Sequence, residues 1–181
     1  MSAPRRRTAL VTEEEFLELP ESHEHIELLD GEIVLSPAPT SVHQILVGQL
    51  HVELELWARQ HRPAFVGLSP FDVRIAPGRV VQPDVFVLLD GLPSRRGVFH
   101  GVPDLTVEVL SDDRRYDRLA KRLVYGEAGV KEYWIVDRRR SLIEVVRGFE
   151  TVAEVEDRLT SELLPGFTLD VQAMFDEGHS D

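Results

Sequence analysis

Apolar positions recur along this chain at two spacings, and each change of spacing marks an element. Thr12 with Glu15 three residues later forms a capping box that opens a short helix, which Pro20 ends. Residues 26–29 and 32–35 alternate around Asp30-Gly31, the signal of a hairpin with a two-residue turn. That register pairs Leu28 with Ile33 and Ile26 with Leu35 on one face. Glu27 and Glu32 fall on the other, where the plain expectation for Glu27 is a solvated hairpin residue. After a proline-containing loop over 36–41, residues 42–60 show helical spacing. Leu46, Leu50, Leu54 and Trp57 form one apolar stripe, and Ile45, Val52 and Leu56 form a second. A helix apolar on two sides is expected to be buried on both: one against a sheet, the other against the N-terminal segment or a second subunit.

Residues 65–75 read as a strand with a bulge or break at Pro70. Residues 80–88 read as another, with Pro83 at a bulge or at the start of its ladder. The stretch 90–101 reads as a loop, and 105–110 is the most strand-like run. The pattern then predicts a helix over 116–128, ended by Gly129, and two strands over 132–137 and 142–147 joined by a basic turn. On the 116–128 helix, Tyr116, Leu119, Ala120 and Leu123 make the expected packed face. Lys121 lies on its flank, in line with Asp117 and Tyr125 at four-residue steps. A weaker strand, a Pro165-Gly166 turn and a short final segment complete the chain. This order predicts an α/β domain of the α+β type, a mixed central sheet flanked by helices with an N-terminal helix and hairpin. Residues 1–11 read as a disordered arm, 12–176 as a single domain and 177–181 as a polar tail.

Composition narrows the chemistry. The 181 residues include no cysteine, which excludes disulfides and thiolate metal sites. No apolar run approaches the roughly 20 residues of a membrane-spanning helix, and the basic N-terminus lacks a signal peptide's apolar region. The cytoplasm is the expected location. The formal net charge of −12 counts against a nucleic-acid partner, although basic residues cluster at 5–7, 114–122 and 138–140.

Two apolar runs each carry one acid in their interior: Asp84 in 80–88 and Glu108 in 105–110. A buried carboxylate is costly unless compensated. Two on neighbouring strands, with Lys121 nearby, are compensated naturally by a divalent cation; the alternative is an ordinary half-exposed sheet face. Hard oxygen ligands suit Mg²⁺ or Mn²⁺. His43, in the first turn of the long helix, reads more simply as a capping or packing residue than as a ligand.

Taken together, several motifs resemble a known family. They are 27–32 (Glu-Leu-Leu-Asp-Gly-Glu), Ser36-Pro37-Ala38-Pro39 with His43-Gln44, and Gln82-Pro83-Asp84-Val85. They continue with 103–111 (Pro-Asp-Leu-Thr-Val-Glu-Val-Leu-Ser), Tyr116-Asp117 with Lys121, Ala128-Gly129-Val130 with 132–137 (Glu-Tyr-Trp-Ile-Val-Asp), and 164–167 (Leu-Pro-Gly-Phe). The chain resembles the PD-(D/E)xK nuclease superfamily and, more closely, its Uma-two family of restriction endonucleases. The resemblance spans about residues 12–175. It implies a restriction-endonuclease-like core and a Mg²⁺- or Mn²⁺-dependent endonuclease; it does not deliver the substrate, for which DNA is the expectation, and the second apolar stripe of the long helix adds a homodimer. It implies Asp84 and Glu108 as metal ligands, Lys121 as the basic residue, and Glu27 and His43 as possible accessory residues. One departure stands out: Leu110 occupies the superfamily's usual lysine position, so the lysine comes from the following helix. The competing readings are a non-catalytic interaction protein that retains the nuclease fold and, third, a metal-dependent hydrolase of a non-nucleic phosphoester.

Overall fold

In the computed structural model, residues 10–20, 25–36, 38–92, 98–110 and 115–178 are described, with backbone only for 115–118 and 177–178. Most of the arm, residues 1–9, lies outside them, as do 21–24, 37, 93–97, 111–114 and 179–181. Thr12 caps α1 (Glu13–Leu17) reciprocally: the Glu15 N–H donates to Thr12 Oγ1 at 3.2 Å, and the Thr12 N–H to Glu15 Oε2 at 2.8 Å. The hairpin of β1 (His25–Leu29) and β2 (Glu32–Ser36) turns at Asp30 and Gly31, with φ of 52° and 87°. Two consecutive positive φ values are what a type I′ turn needs, and Asp-Gly supplies them at low cost. Its register is the expected one, Leu28 opposite Ile33 and Ile26 opposite Leu35. Thr40 caps α2 (Ser41–Gln60), accepting from the His43 N–H at 3.3 Å.

The two long strands of the sequence pattern are each divided in two. The first becomes β3 (Phe65–Leu68) and β4 (Val73–Ala76); the second becomes β5 (Arg79–Val81) and β6 (Val85–Leu88). Proline has no N–H for a ladder, so pairing stops around Pro70 and again around Pro83, and the chain changes sheets at both places. The rest is β7 (Phe99–His100), β8 (Leu105–Val109), α3 (Arg115–Ala128), β9 (Glu132–Asp137), β10 (Leu142–Arg147), β11 (Glu150–Val155), β12 (Arg158–Thr160), β13 (Thr168–Asp170) and α4 (Val171–Gly178).

One sheet has six strands, ordered β11-β10-β9-β8-β6-β3, mixed because only β8 and β9 run parallel. A second has five, β2-β1-β5-β4-β7, and β12 pairs with β13. The α2 stripe of Leu46, Leu50, Leu54 and Trp57 packs on one face of the six-stranded sheet, against Val85, Val87, Val107 and Trp134, with α4 contributing Met174 and Phe175. On the opposite face, Val124 and Tyr125 of α3 join Phe86, Tyr133 and Ile135, along with Val73, Ile75 and Val81 of the second sheet. Phe16 of α1 closes a small third cluster with Leu28, Ile33 and Val80, where Val11 also packs, so the last residue of the expected arm is docked on the hairpin.

The expectation that α2 is buried on two sides is corrected within the single chain. Ile45, Val52 and Leu56 are 42%, 53% and 48% exposed, because α1 packs on the hairpin instead of on α2. No helix among the described residues is long and apolar enough to cross a membrane.

Candidate active site

The chain's passage from the second sheet to the first, at Gln82-Pro83-Asp84, assembles a cluster of buried charge. Val85 stands opposite Val107 in the β6–β8 ladder. The next position outward sets Asp84 opposite Glu108, and directly opposed residues share a sheet face. That face is the α3 side, since Phe86 and Tyr133 pack there. Asp84 is buried. Its Oδ2 accepts from the Val109 N–H at 2.8 Å and from His43 Nε2 at 3.1 Å. A carboxylate only accepts, so His43 carries a proton on Nε2; its Nδ1 is buried with no hydrogen-bond partner among the described residues.

Lys121 arrives from α3, and here the expected helix face is corrected. Leu119 and Leu123 are exposed at 63% and 54%, whereas Lys121, Val124 and Tyr125 are buried. The packed line is the Lys121–Tyr125 row, because the lysine finds two carboxylates under the helix, which compensates its burial. Lys121 Nζ donates to Glu27 Oε1 at 2.5 Å and to Glu108 Oε1 at 3.0 Å. Gly126 lets the helix come this close: a Cβ there would meet the Phe149 ring at 2.6 Å and the Gly148 carbonyl at 2.8 Å. Arg79 ties the carriers together, bonding Asp30 in the hairpin turn and Glu127 on α3.

Glu27 is the second correction. Alternation places it opposite the apolar hairpin face, but that side is covered, and the residue is 1% exposed. The five-stranded sheet lays its other face against α3, so a nominally polar strand position becomes interior. Glu27 Oε1 also accepts from the Gln82 N–H at 2.7 Å, and His25, whose Nε2 donates to the Gln82 carbonyl at 2.8 Å, lies 3.8 Å from the same oxygen.

The three acids respond differently to one environment. Burial acts to raise Glu27, yet Lys121, His25 and the Gln82 N–H together hold it below its usual range. Burial likewise acts to raise Asp84, and the His43 bond and charge with the Val109 N–H outweigh it, so Asp84 also sits low. Glu108 is pushed up to about 8: burial dominates, the ionised Asp84 and Glu27 add to it, and Lys121 and Tyr125 only partly offset the rise. Glu27 and Glu108 thus share one lysine, while Asp84 is held by His43 and a backbone N–H.

Whether these residues suit a divalent cation can be judged from their oxygens. Every bond described for Asp84 falls on Oδ2, and every one for Glu108 on Oε1. Asp84 Oδ1 and Glu108 Oε2 remain as hard donors on neighbouring strands. Among the described residues, no group of three or more His, Asp or Glu forms a ready-made metal cage. Two carboxylates completed by water and substrate oxygens is the donor set that Mg²⁺ ordinarily takes, so the residues fit that ion. Tyr125 was not among the expected site residues. Its O–H donates to Glu108 Oε1 at 2.5 Å, and the signal that could have found it is its position four residues after Lys121.

A mixed six-stranded sheet between helical layers, with acids meeting at the end of two neighbouring strands, is a restriction-endonuclease-like architecture. Residues 13–172 match Uma2, a family described as "Putative restriction endonuclease", and the chain belongs to that family. It is also similar to a crystal structure from Anabaena variabilis ATCC 29413, described as "a putative nuclease belonging to DUF820". The TM-score is 0.78 at 20% identity, over 93% of this chain and 99% of that one, which is a likeness of fold. No curated protein matches the chain.

Proposed function

We propose that this protein is a Mg²⁺- or Mn²⁺-dependent endonuclease that hydrolyses phosphodiester bonds, with DNA as its substrate, working in the cytoplasm as a homodimer. The observation that carries the reading is the meeting of buried Asp84, Glu27 and Lys121 with half-buried Glu108 in one cluster that, among the described residues, has more negative than positive charge. Asp84 and Glu108 would hold the cation. Bound there, it would polarise the scissile phosphodiester and lower the pKa of the attacking water. Lys121, pinned from both sides, keeps an ammonium beside the acids, where it orients the water and stabilises charge developing on the phosphoryl oxygens. Glu27 positions that ammonium. His43 fixes the rotation of Asp84 so that Oδ1 stays available.

A second copy is the partner proposed for the exposed α2 stripe. Gly48 lies between Ile45 and Val52 with open space around it, which allows a partner helix to approach closely.

The second reading, a non-catalytic interaction protein on the nuclease fold, is favoured by the net charge of −12. A cleavage assay separates the two. Double-stranded DNA, single-stranded DNA and RNA are incubated with Mg²⁺, Mn²⁺ or chelator, beside an Asp84→Ala control. Cleavage that needs the cation and disappears in the control supports the enzyme; no cleavage of any substrate favours the interaction protein.

A further inference from the structure

Tyr125 has no role in the scheme above, yet its hydroxyl ends inside the cluster. Two donors converge on one oxygen of Glu108: the Tyr125 O–H at 2.5 Å and Lys121 Nζ at 3.0 Å. Lys121 Nζ is itself 3.5 Å from the phenol oxygen and 5.6 Å from the ring centroid. The terminal torsion of a glutamate is broad and roughly two-fold, so the backbone alone does not decide which oxygen faces where. Two donors fixed on Oε1 do decide it. The phenol makes a stiff fixture: Tyr125 is 1% exposed and meets Tyr133 edge-on, with ring centroids 4.9 Å apart. Its carrier is held close to the sheet at the adjacent residue, Gly126.

We infer that Tyr125 is a positioning residue for the cation: by holding Glu108 Oε1 together with Lys121, it leaves Oε2 as the oxygen offered to a divalent ion. This rests on the proposed role of Asp84 and Glu108 as ligands. A merely structural tyrosine would instead use Glu108 as a convenient acceptor for a hydroxyl that burial obliges it to pair. The two roles separate cleanly. A structural hydroxyl contributes to stability alone, whereas a positioning hydroxyl alters how the ion is bound.

The test is Mn²⁺ binding followed by electron paramagnetic resonance on the full chain, comparing the wild type, Tyr125→Phe and Asp84→Ala. Phenylalanine keeps the ring contacts and deletes the donor. The expected result is about 10-fold weaker Mn²⁺ binding, the lower end of what losing an outer partner of a ligand costs, with an altered line shape of the bound ion. Site-specific 4-aminophenylalanine at position 125 restores a ring donor and should recover much of the affinity; it also serves if Tyr125→Phe is too unstable to titrate. Binding lost in Asp84→Ala but equal to the wild type in Tyr125→Phe, in affinity and line shape, overturns this inference alone. So does a weakened variant that the amine fails to recover. No Mn²⁺ binding by the wild type overturns both this inference and the ligand roles beneath it.

Discussion

Two groups of buried carboxylates lie against the same sheet and are treated in opposite ways. On β9 and β10, Glu132 and Glu144 are as buried as anything at the candidate site. Glu132 accepts from Trp134 Nε1 at 2.7 Å and pairs with Arg147 at 3.1 Å. Glu144 pairs with Arg122 at 3.2 Å and Arg140 at 3.3 Å. Three arginines there serve two acids. At the candidate site one lysine serves Glu27 and Glu108, and Asp84 relies on a histidine and a backbone N–H. A carboxylate withdrawn from solvent therefore has two meanings, although Glu108 is only half-buried. The arginine group is closed by its own counter-ions and reads as structure. Among the described residues the lysine group has fewer cations than acids and keeps carboxylate oxygens outside its bonds, which is the condition for taking a cation from solution.

Removing cations from each group should break the comparison most visibly. Lys121→Ala leaves Glu27 and Glu108 buried without their partner, so it should cost about 3–5 kcal/mol in a urea melt. It should also reduce turnover about 10²–10³-fold at a temperature where the protein remains folded. A lysine on the flank of the helix would have left folding nearly intact; the buried position changes that expectation. Arg122→Ala should cost less, about 1–3 kcal/mol, since Glu144 retains Arg140, and it should leave cation affinity unchanged.

Neutralising one acid in each group should give opposite signs. Glu108→Gln removes a like charge from the cluster, so at pH 8 the cation-free variant should melt higher than the wild type and no longer respond to Mg²⁺. Glu144→Gln weakens two arginine pairs and should melt lower. Scanning calorimetry of both variants measures this, and shifts of the same sign would remove the distinction between the groups.

The pH dependence of stability follows from Glu108. Its folded pKa of about 8 lies above the ordinary 4.5, so folding favours the protonated form. That contribution is complete below pH 4.5 and is lost as pH rises through 8. Asp84 and Glu27, held low, lose their contributions only in more acidic solution. Cation-free protein should therefore lose stability between pH 5 and 8, and the rise in Tm on adding Mg²⁺ should be larger at pH 8 than at pH 5.5. A thermal melt series with and without chelator reads both. The smallest effect on the site is expected from Val52→Asp on the exposed α2 stripe. Light scattering should show a shift toward a 20.5 kDa species while Mn²⁺ affinity stays the same.

Much of this arrangement was legible in the sequence because it depends on short-range pattern. The capping box, the Asp-Gly turn and the register of β1 with β2 follow from local rules. So does the presence of an acid in each of two apolar runs. What the pattern could not supply was layering. Glu27 alternates as a polar strand position, and its side is covered because the second sheet, formed where Pro70 and Pro83 interrupt the ladders, lays that face against α3. Leu119 and Leu123 outrank Lys121 by hydrophobicity, yet the helix turns its lysine inward because two carboxylates lie beneath it. Charge compensation across four separate segments outweighed the local moment of one helix, and no window along the chain contains that information. Tyr125 escaped for the same reason: its partner, Glu108, lies on another element.

The central claim, that the lysine-poor cluster takes a divalent cation, is tested most directly by calorimetric titration of Mn²⁺ at pH 7 in two buffers of different ionisation enthalpy. One saturable site per chain is predicted, lost in Asp84→Ala, with release of nearly one proton because Glu108 must give up its hydrogen to act as a ligand. No saturable heat, or binding that persists unchanged in both Asp84→Ala and Glu108→Ala, would contradict it.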